Sequence, residues 1–255
     1  MLLRSLTKHV RDQNWLAVFL DFFIVVVGIL IAFQITNWNE ERAENDLANR
    51  YIQHLIADIR SDIADIETGF RTSEWRLAAL TELLEKSDIP TIDKSYNPER
   101  ELTTPRVSAT DNSITNLMNA SSYTRFLDYH SPTYVSLVNC GNARLISKLK
   151  PWPCIQSYYA QYHEVQLFEE RLLLLRTELL RAQHDAGISL AGNLPEEETL
   201  DRIRNNAPVA AAMSTNRLWV YYHMDVLEEL GQRAALLLEA LKTNSARCDV
   251  ETGSL

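Results

Sequence analysis

Cysteine is scarce in this chain, three in 255 residues, too few for a fold held by a disulfide framework. Glycine is scarce too, at seven, and none falls in a GxSxG, P-loop or GxGxxG pattern; HExxH is missing as well. The short signatures of acyl transfer, nucleotide binding and zinc proteolysis are therefore absent. Basic side chains are in the minority, 25 against 34 acidic ones. The net charge of −9 speaks against broad binding to nucleic acid, which needs a surplus of Lys and Arg on at least one face. No stretch alternates apolar and polar residues with period two for long enough to suggest a sheet. What is there is 46% hydrophobic and 23% charged residues, the balance of a folded chain with room for one domain or two small ones.

The most informative stretch is bracketed by Trp15 and Trp38. Residues 16–36, LAVFLDFFIVVVGILIAFQIT, include a single charge, Asp21. A hydrocarbon core needs about 20 apolar residues in helical form, and tryptophans at both ends suit its two interfaces as anchors. A buried helix of a soluble protein is one alternative. A cleaved signal peptide is another, but the apolar run is too long for one and no small-x-small site precedes Trp38. The segment 15–38 therefore reads as an uncleaved transmembrane signal anchor. Arg4, Lys8 and Arg11 precede it, while only Arg42 and Arg50 follow within fifteen residues. That margin predicts a cytoplasmic N-terminus and the bulk of the chain outside. Residues 1–14 place Leu2, Leu3, Leu6 and Val10 at helical spacing, as in a short amphipathic segment on the inner leaflet.

Within the span, Asp21, Gly28 and Ala32 fall near one helix face. Gly28-x-x-x-Ala32 is a small-x-x-x-small arrangement that lets two helices approach closely in lipid, and a carboxylate inside a span usually faces protein. This predicts a helix-association face serving a homo-oligomer or a partner membrane protein. The plainer alternative is that Asp21 reaches the inner headgroups and the small residues are incidental.

After the span, Ile52, Ile56, Ile59, Ile63, Ile66, Phe70, Leu77, Leu80 and Leu84 recur at steps of four and three, with Ser73 the one polar member. That is the narrow stripe of a bundle or coiled-coil helix, and it predicts a stalk helix over 39–87 continuing the anchor. Prolines 90, 98 and 105 mark a linker at 88–108. From 109 to 245 the sequence reads as a helical bundle packing on the stalk. Ser131-Pro132 fits an N-cap with a first-turn proline, and Gly141 a left-handed helix closure. Pro151 and Pro153 interrupt the next stretch. A long helix follows over 155–186, with Tyr158, Tyr162, Val165, Phe168, Leu172, Leu175 and Leu179 on one face. Asn193, Pro195 and Glu196–Glu198 signal another start, and Pro208 opens a last helix to about Thr243 that includes Leu218, Tyr222, Val226, Leu230 and Leu237. A flexible tail follows at 246–255. The expected fold is all-α: a transmembrane helix, a stalk and an extramembrane helical bundle.

Two stretches carry a resemblance. IVVVGILIAFQITNWNEERAE (residues 24–44) is similar to the opening of a family of small bacterial single-pass membrane-anchored proteins of unknown function, marked by a VxxGxLIAxQxxNWNEER-like run. TYVSLVNCGNARLISKLKPWPCIQSYYAQY (residues 133–162) resembles that family's second signature, carried here by Tyr134, Leu137, Cys140, Gly141, Asn142, Leu145, Ile146, Tyr158 and Tyr159. The chain departs from the pattern at Cys140, where Ser or Thr is more usual, and at the Pro151–Cys154 interruption. The resemblance implies an anchored helical protein and brings no activity, substrate or catalytic residue with it; with the orientation read from the flanking charges, the expected location is the bacterial inner membrane.

Residues grouped for chemistry are few. Six histidines are scattered, and the best metal-like grouping, His163-Glu164 with His223 and Asp225, lacks the Glu-x-x-His spacing that puts two ligands on one helix face. No catalytic residue, metal or cofactor is expected, and the chain does not read as an enzyme. Tyr158 and Tyr162 with Trp219 and Tyr222 are candidate walls of a pocket between two helices, although such aromatics are more often core. In an oxidising compartment Cys140 and Cys154 form a candidate disulfide across a 13-residue segment, set against two free thiols; Cys248 reads as unpaired. The leading expectation is a structural or interaction protein of the cell envelope, bound to the bilayer and oligomeric. The alternative is a periplasmic ligand-sensing bundle that signals through a membrane partner. A third reading, an ion-driven motor subunit suggested by FLDFFIVVV (residues 19–27), lacks a wall-binding domain.

Overall fold

The computed structural model describes residues 15–91, 113–129, 131–192 and 194–246. The expectations for residues 1–14, for nearly all of the 88–108 linker and for the tail lie outside them. Among the described residues the protein is all-α, with seven helices and no strand. These are α1 (Trp15–Lys86), α2 (Ile114–Ser122), α3 (Pro132–Asn139), α4 (Ala143–Ile146), α5 (Trp152–Asp185), α6 (Glu196–Asn205) and α7 (Ala207–Thr243). Two compact units divide the chain, Met1–Tyr51 and Ile52–Leu255.

The first unit is described only by its part of α1. An 18-residue window there has a mean hydropathy of 2.4, and none of it is buried. A core helix of a soluble protein would lose most of that apolar surface to packing, because burial is what makes such a sequence favourable in water. This one leaves Phe19, Phe22, Ile24, Leu30 and Phe33 all more than half exposed. It is the one described helix long and apolar enough to cross a membrane. Thr36 returns its hydroxyl to the Ala32 carbonyl at 3.0 Å, so its polar atom is satisfied within the helix. Asp21, Gly28 and Ala32 are exposed, and a Cβ on Gly28 would meet no atom within 4 Å. The exposed Trp38 ring carries the Arg42 guanidinium 5.9 Å from its centroid, a cation–π contact.

The second unit is built on α1 from Ile52 onward, α5 and α7. Contacts between α1 and α7 pair residues whose numbers fall as their partners' rise, Gly69 with Leu227 and Thr81 with Arg217, so these helices are antiparallel. By the same reasoning α5 and α7 are antiparallel, with Ser157 beside Arg233 and Phe168 beside Trp219. On α1, every member of the predicted stripe from Ile52 to Leu84 is buried or half-buried, Ser73 included. On α5 the inward stripe is Ile155, Tyr158, Tyr162, Val165, Glu169, Leu172, Leu179 and Gln183. Pro151 and Pro153 lie at the start of α5, where a missing N–H costs nothing, and the helix therefore begins three residues earlier than the expected Ile155. The inward face of α7 runs through polar residues. Leu218, Tyr222 and Val226 are only half-buried, and the inward stripe is Val209, Met213, Asn216, Val220, His223, Leu227, Leu230, Ala234, Leu237 and Leu241. Its steps of four and three are regular once Asn216 and His223 are admitted. A search restricted to apolar residues slides off them.

Gly141 closes α3 at φ +70°, the left-handed conformation that glycine adopts without Cβ strain. Ser131 caps α3 without a side-chain hydrogen bond, and Asn206 caps α7 by accepting from the Val209 N–H at 3.2 Å.

Candidate functional site

The three long helices each interrupt their apolar stripe with polar residues, and three of these meet. Ser73 of α1, Glu169 of α5 and His223 of α7 are all at most 5% exposed. His223 Nε2 lies 2.8 Å from Glu169 Oε1, and its Nδ1 lies 3.0 Å from Ser73 Oγ. An Nε2–H directed at the carboxylate leaves Nδ1 as the acceptor for the serine hydroxyl. Glu169 also accepts from the Tyr129 hydroxyl and from the Leu127 backbone N–H at 3.1 Å. A buried carboxylate with several donors is compensated where an isolated one would not be.

One helical turn along, Arg76 forms a second polar layer. Its Nη2 donates to Asn216 Oδ1 at 2.6 Å and its Nε to the Ser121 carbonyl at 2.9 Å. Asn216 Nδ2 donates to the carbonyls of Leu175 and Ala212. Burial, then the neighbouring Arg176 charge, lower the Arg76 pKa to about 10. Further along α1, Asp62 accepts from the Tyr158 hydroxyl at 3.0 Å. Burial first, then Asp58, Asp65 and Asp128, push its carboxyl up to about 7 against the Tyr158 hydrogen bond. The hydroxyls of Tyr129 and Tyr158 are raised by burial first and by the adjacent carboxylates.

These side chains also hold the non-helical segment 123–129, which follows α2. Asp65 accepts from the Asp128 N–H at 2.6 Å and pairs with Arg125 at 3.0 Å. Tyr162 donates to the Asp128 carbonyl, Arg176 to the Ser122 carbonyl, and Asp58 accepts from the Thr133 N–H. A segment without helix or sheet partners needs such bonds for its backbone polar groups.

Hydroxyl, imidazole and carboxylate stand here in the order of a nucleophile, its base and the group that orients the base. Access is what they lack. A groove of about 480 Å³ runs between α5 and α7, lined by Ser157, Ala160, Gln161, Glu164, Val165, Phe168, Val226, Glu229 and Arg233, and none of the three belongs to it. Phe168 lies between, its ring stacked on His223 with centroids 6.1 Å apart. The geometry serves as a clamp at mid-bundle, joining three helices and the 123–129 segment.

Of the predicted pocket residues, Tyr158 and Tyr162 are in the core, packed with Tyr159 and Tyr129. Trp219 packs on Tyr222 and on Phe168 in a separate group. None of the four lines the groove; tyrosines at core spacing are drawn inward by their rings. The predicted cysteine pair also needs correction. Cys140 is free and exposed, whereas Cys154 is buried and disulfide-bonded, with a partner outside the described residues. Gly141 and its neighbours turn Cys140 outward at the end of α3, while the first turn of α5 carries Cys154 inward. His163 is exposed and His223 buried, so the grouping weighed for a metal does not assemble. Sequence reasoning missed Glu169 and His223 as partners; the signal was a pair of polar residues at inward heptad positions.

A family model described as Family of unknown function (DUF6090) matches residues 21–171. That span includes both stretches that carried the resemblance, together with Ser73 and Glu169. No curated protein and no solved structure matches the chain.

Proposed function

The chain belongs to DUF6090, a family of unknown function, and from that premise we propose that it is a single-pass, membrane-anchored helical interaction protein of the bacterial cell envelope. The observation that carries this reading is the apolar window near the start of α1, no residue of which is buried, a surface that suits a bilayer. Its N-terminus faces the cytoplasm, and the bundle of the second unit lies outside. Two features support that orientation: the three-to-two excess of Lys and Arg before the span, and the disulfide at Cys154, since such bonds persist in oxidising compartments. The bundle is non-catalytic and acts by contact. Its polar layers are spent on fixing how the helices pack, which suits a part whose shape is its function. Asp21, Gly28 and Ala32 form the face through which the anchor meets a second copy or a partner helix.

Membrane fractionation followed by alkaline carbonate washing tests the anchor, and a reporter fused after Leu255 tests the orientation. The expected result is retention in the washed membrane with reporter activity outside the cytoplasm. Release by carbonate, or a reporter active only in the cytoplasm, would overturn the reading. Pull-down in mild detergent then identifies the assembly, as a self-complex or as an envelope partner.

A further inference from the structure

We propose that the guanidinium groups of Arg76 and Arg176 form a binding site for a phosphate group, as the free ion or as a phosphate monoester. The site stands in the second unit alone and does not depend on the anchor. The end of α2 brings its parts together. Arg76 of α1 donates Nε to the Ser121 carbonyl at 2.9 Å, and Arg176 of α5 donates Nε to the Ser122 carbonyl at 2.6 Å. Tyr123, next in the chain, packs edge-to-face with Trp75 of α1, their ring centroids 6.1 Å apart. Consecutive residues of one short segment thus hold two cations and an exposed pair of rings.

Charge balance selects the ligand. Arg76 is only 2% exposed, and a charge so placed is ordinarily paired with its opposite. Neither arginine makes an ion pair among the described residues, and the charge that bears on Arg76 is the like charge of Arg176. The carbonyl end of α2 offers at most about half a negative charge against two full positive ones. Donors are also to spare. Arg76 commits Nε to Ser121 and Nη2 to Asn216, while Arg176 commits only Nε. Arg76 Nη1 and both terminal nitrogens of Arg176 make no bond to protein, and none of the three is sealed from solvent. The Arg176 side chain is itself half-buried, so the pair can be reached from outside. Guanidinium forks bind phosphate oxygens two at a time. Near neutral pH a phosphate monoester carries close to two negative charges and three acceptor oxygens, which answers the unbalanced pair and the open donors together. A carboxylate would leave one positive charge over. The exposed Trp75 and Tyr123 rings suit an apolar substituent on the phosphate.

The test uses the full chain in a maltoside detergent, which brings no phosphate of its own. Calorimetry at fixed ionic strength compares inorganic phosphate, phenyl phosphate and acetate. Both phosphates should bind at least tenfold more tightly than acetate. Tighter binding of phenyl phosphate identifies a monoester as the ligand, and tighter binding of inorganic phosphate identifies the free ion; either supports the site. Arg176→Gln should weaken phosphate binding at least tenfold. Should that variant lower the melting temperature, Tyr123→Glu keeps both arginines, sets a competing carboxylate beside them and should cost about fivefold in affinity. No binding of either phosphate, acetate binding equal to theirs, or affinity unchanged in both variants would overturn the proposal. None of these outcomes bears on carbonate resistance or reporter topology, so the two readings fail separately.

Discussion

The hydroxyl of Ser73 is the single polar break in the apolar stripe of α1, and it is met by an imidazole that is 2% exposed. Polar atoms so placed act through the cost of leaving them unpaired, more than through the strength of the bonds they form. Replacing Glu169 with Leu removes the acceptor for His223 Nε2–H, the Tyr129 hydroxyl and the Leu127 N–H in one step. Denaturant unfolding of Glu169→Leu should show a loss of about 3–5 kcal/mol, and a loss under about 1 kcal/mol would contradict the clamp. Adding His223→Leu should recover part of that loss, since an apolar layer of similar volume leaves fewer orphaned groups. Asp62 gives a pH signature. Its carboxyl titrates near 3.8 when unfolded and near 7 when folded. The folded state therefore holds the proton more tightly. The stability this provides is complete below about pH 4 and is lost as the pH rises to about 7. Asp62→Asn keeps an acceptor for Tyr158 and removes the charge. It should match the parent near pH 4 and exceed it by about 2–4 kcal/mol at pH 8. Parallel stability curves for the two proteins across that window would refute the buried-carboxyl account.

At the scale of elements, α1 is read differently along its length. From Ile52 the four-three stripe faces protein, and from Phe19 to Trp38 there is no such stripe because no residue is buried. Lipid can accept such a surface all round, but only small residues let a second helix come close. Gly28→Leu should therefore reduce cross-linking between anchors, and Asp21→Leu should leave insertion intact while changing assembly. A membrane two-hybrid or cross-linking assay in which both variants associate like the parent would leave the face without a role. Gly69 tests the other end of α1. A Cβ there would meet Leu227 and Leu127 side chains at 3.5 and 3.6 Å, ordinary contact distances. Gly69→Ala should thus stabilise the bundle by up to about 1 kcal/mol through helix propensity, read as a rise in denaturation midpoint.

For the whole molecule, the cysteines carry the compartment. Cys140 is free and Cys154 bridged, and the sequence has one further cysteine, Cys248, so the partner is open to a direct test. Non-reducing mass spectrometry of protein purified from membranes should find a peptide joining Cys154 to Cys248 and none joining Cys154 to Cys140. Complete alkylation of all three thiols without prior reduction would remove both the bridge and its support for an extracytoplasmic bundle.

Periodicity and hydropathy alone determined the helical class, the apolar span, the stripe of α1 and the left-handed turn at Gly141. Each of these is set by neighbours within a few residues, through helical geometry, transfer free energy or glycine's freedom at positive φ. The inward face of α7, the meeting of Ser73 with Glu169 and His223, the choice of Cys154 over Cys140 and the groove between α5 and α7 were decided only in three dimensions. They depend on residues from separate helices arriving at one level of the bundle. A polar side chain at an inward position looks like an error in one helix and becomes favourable only when its partners, on other helices, stand opposite it.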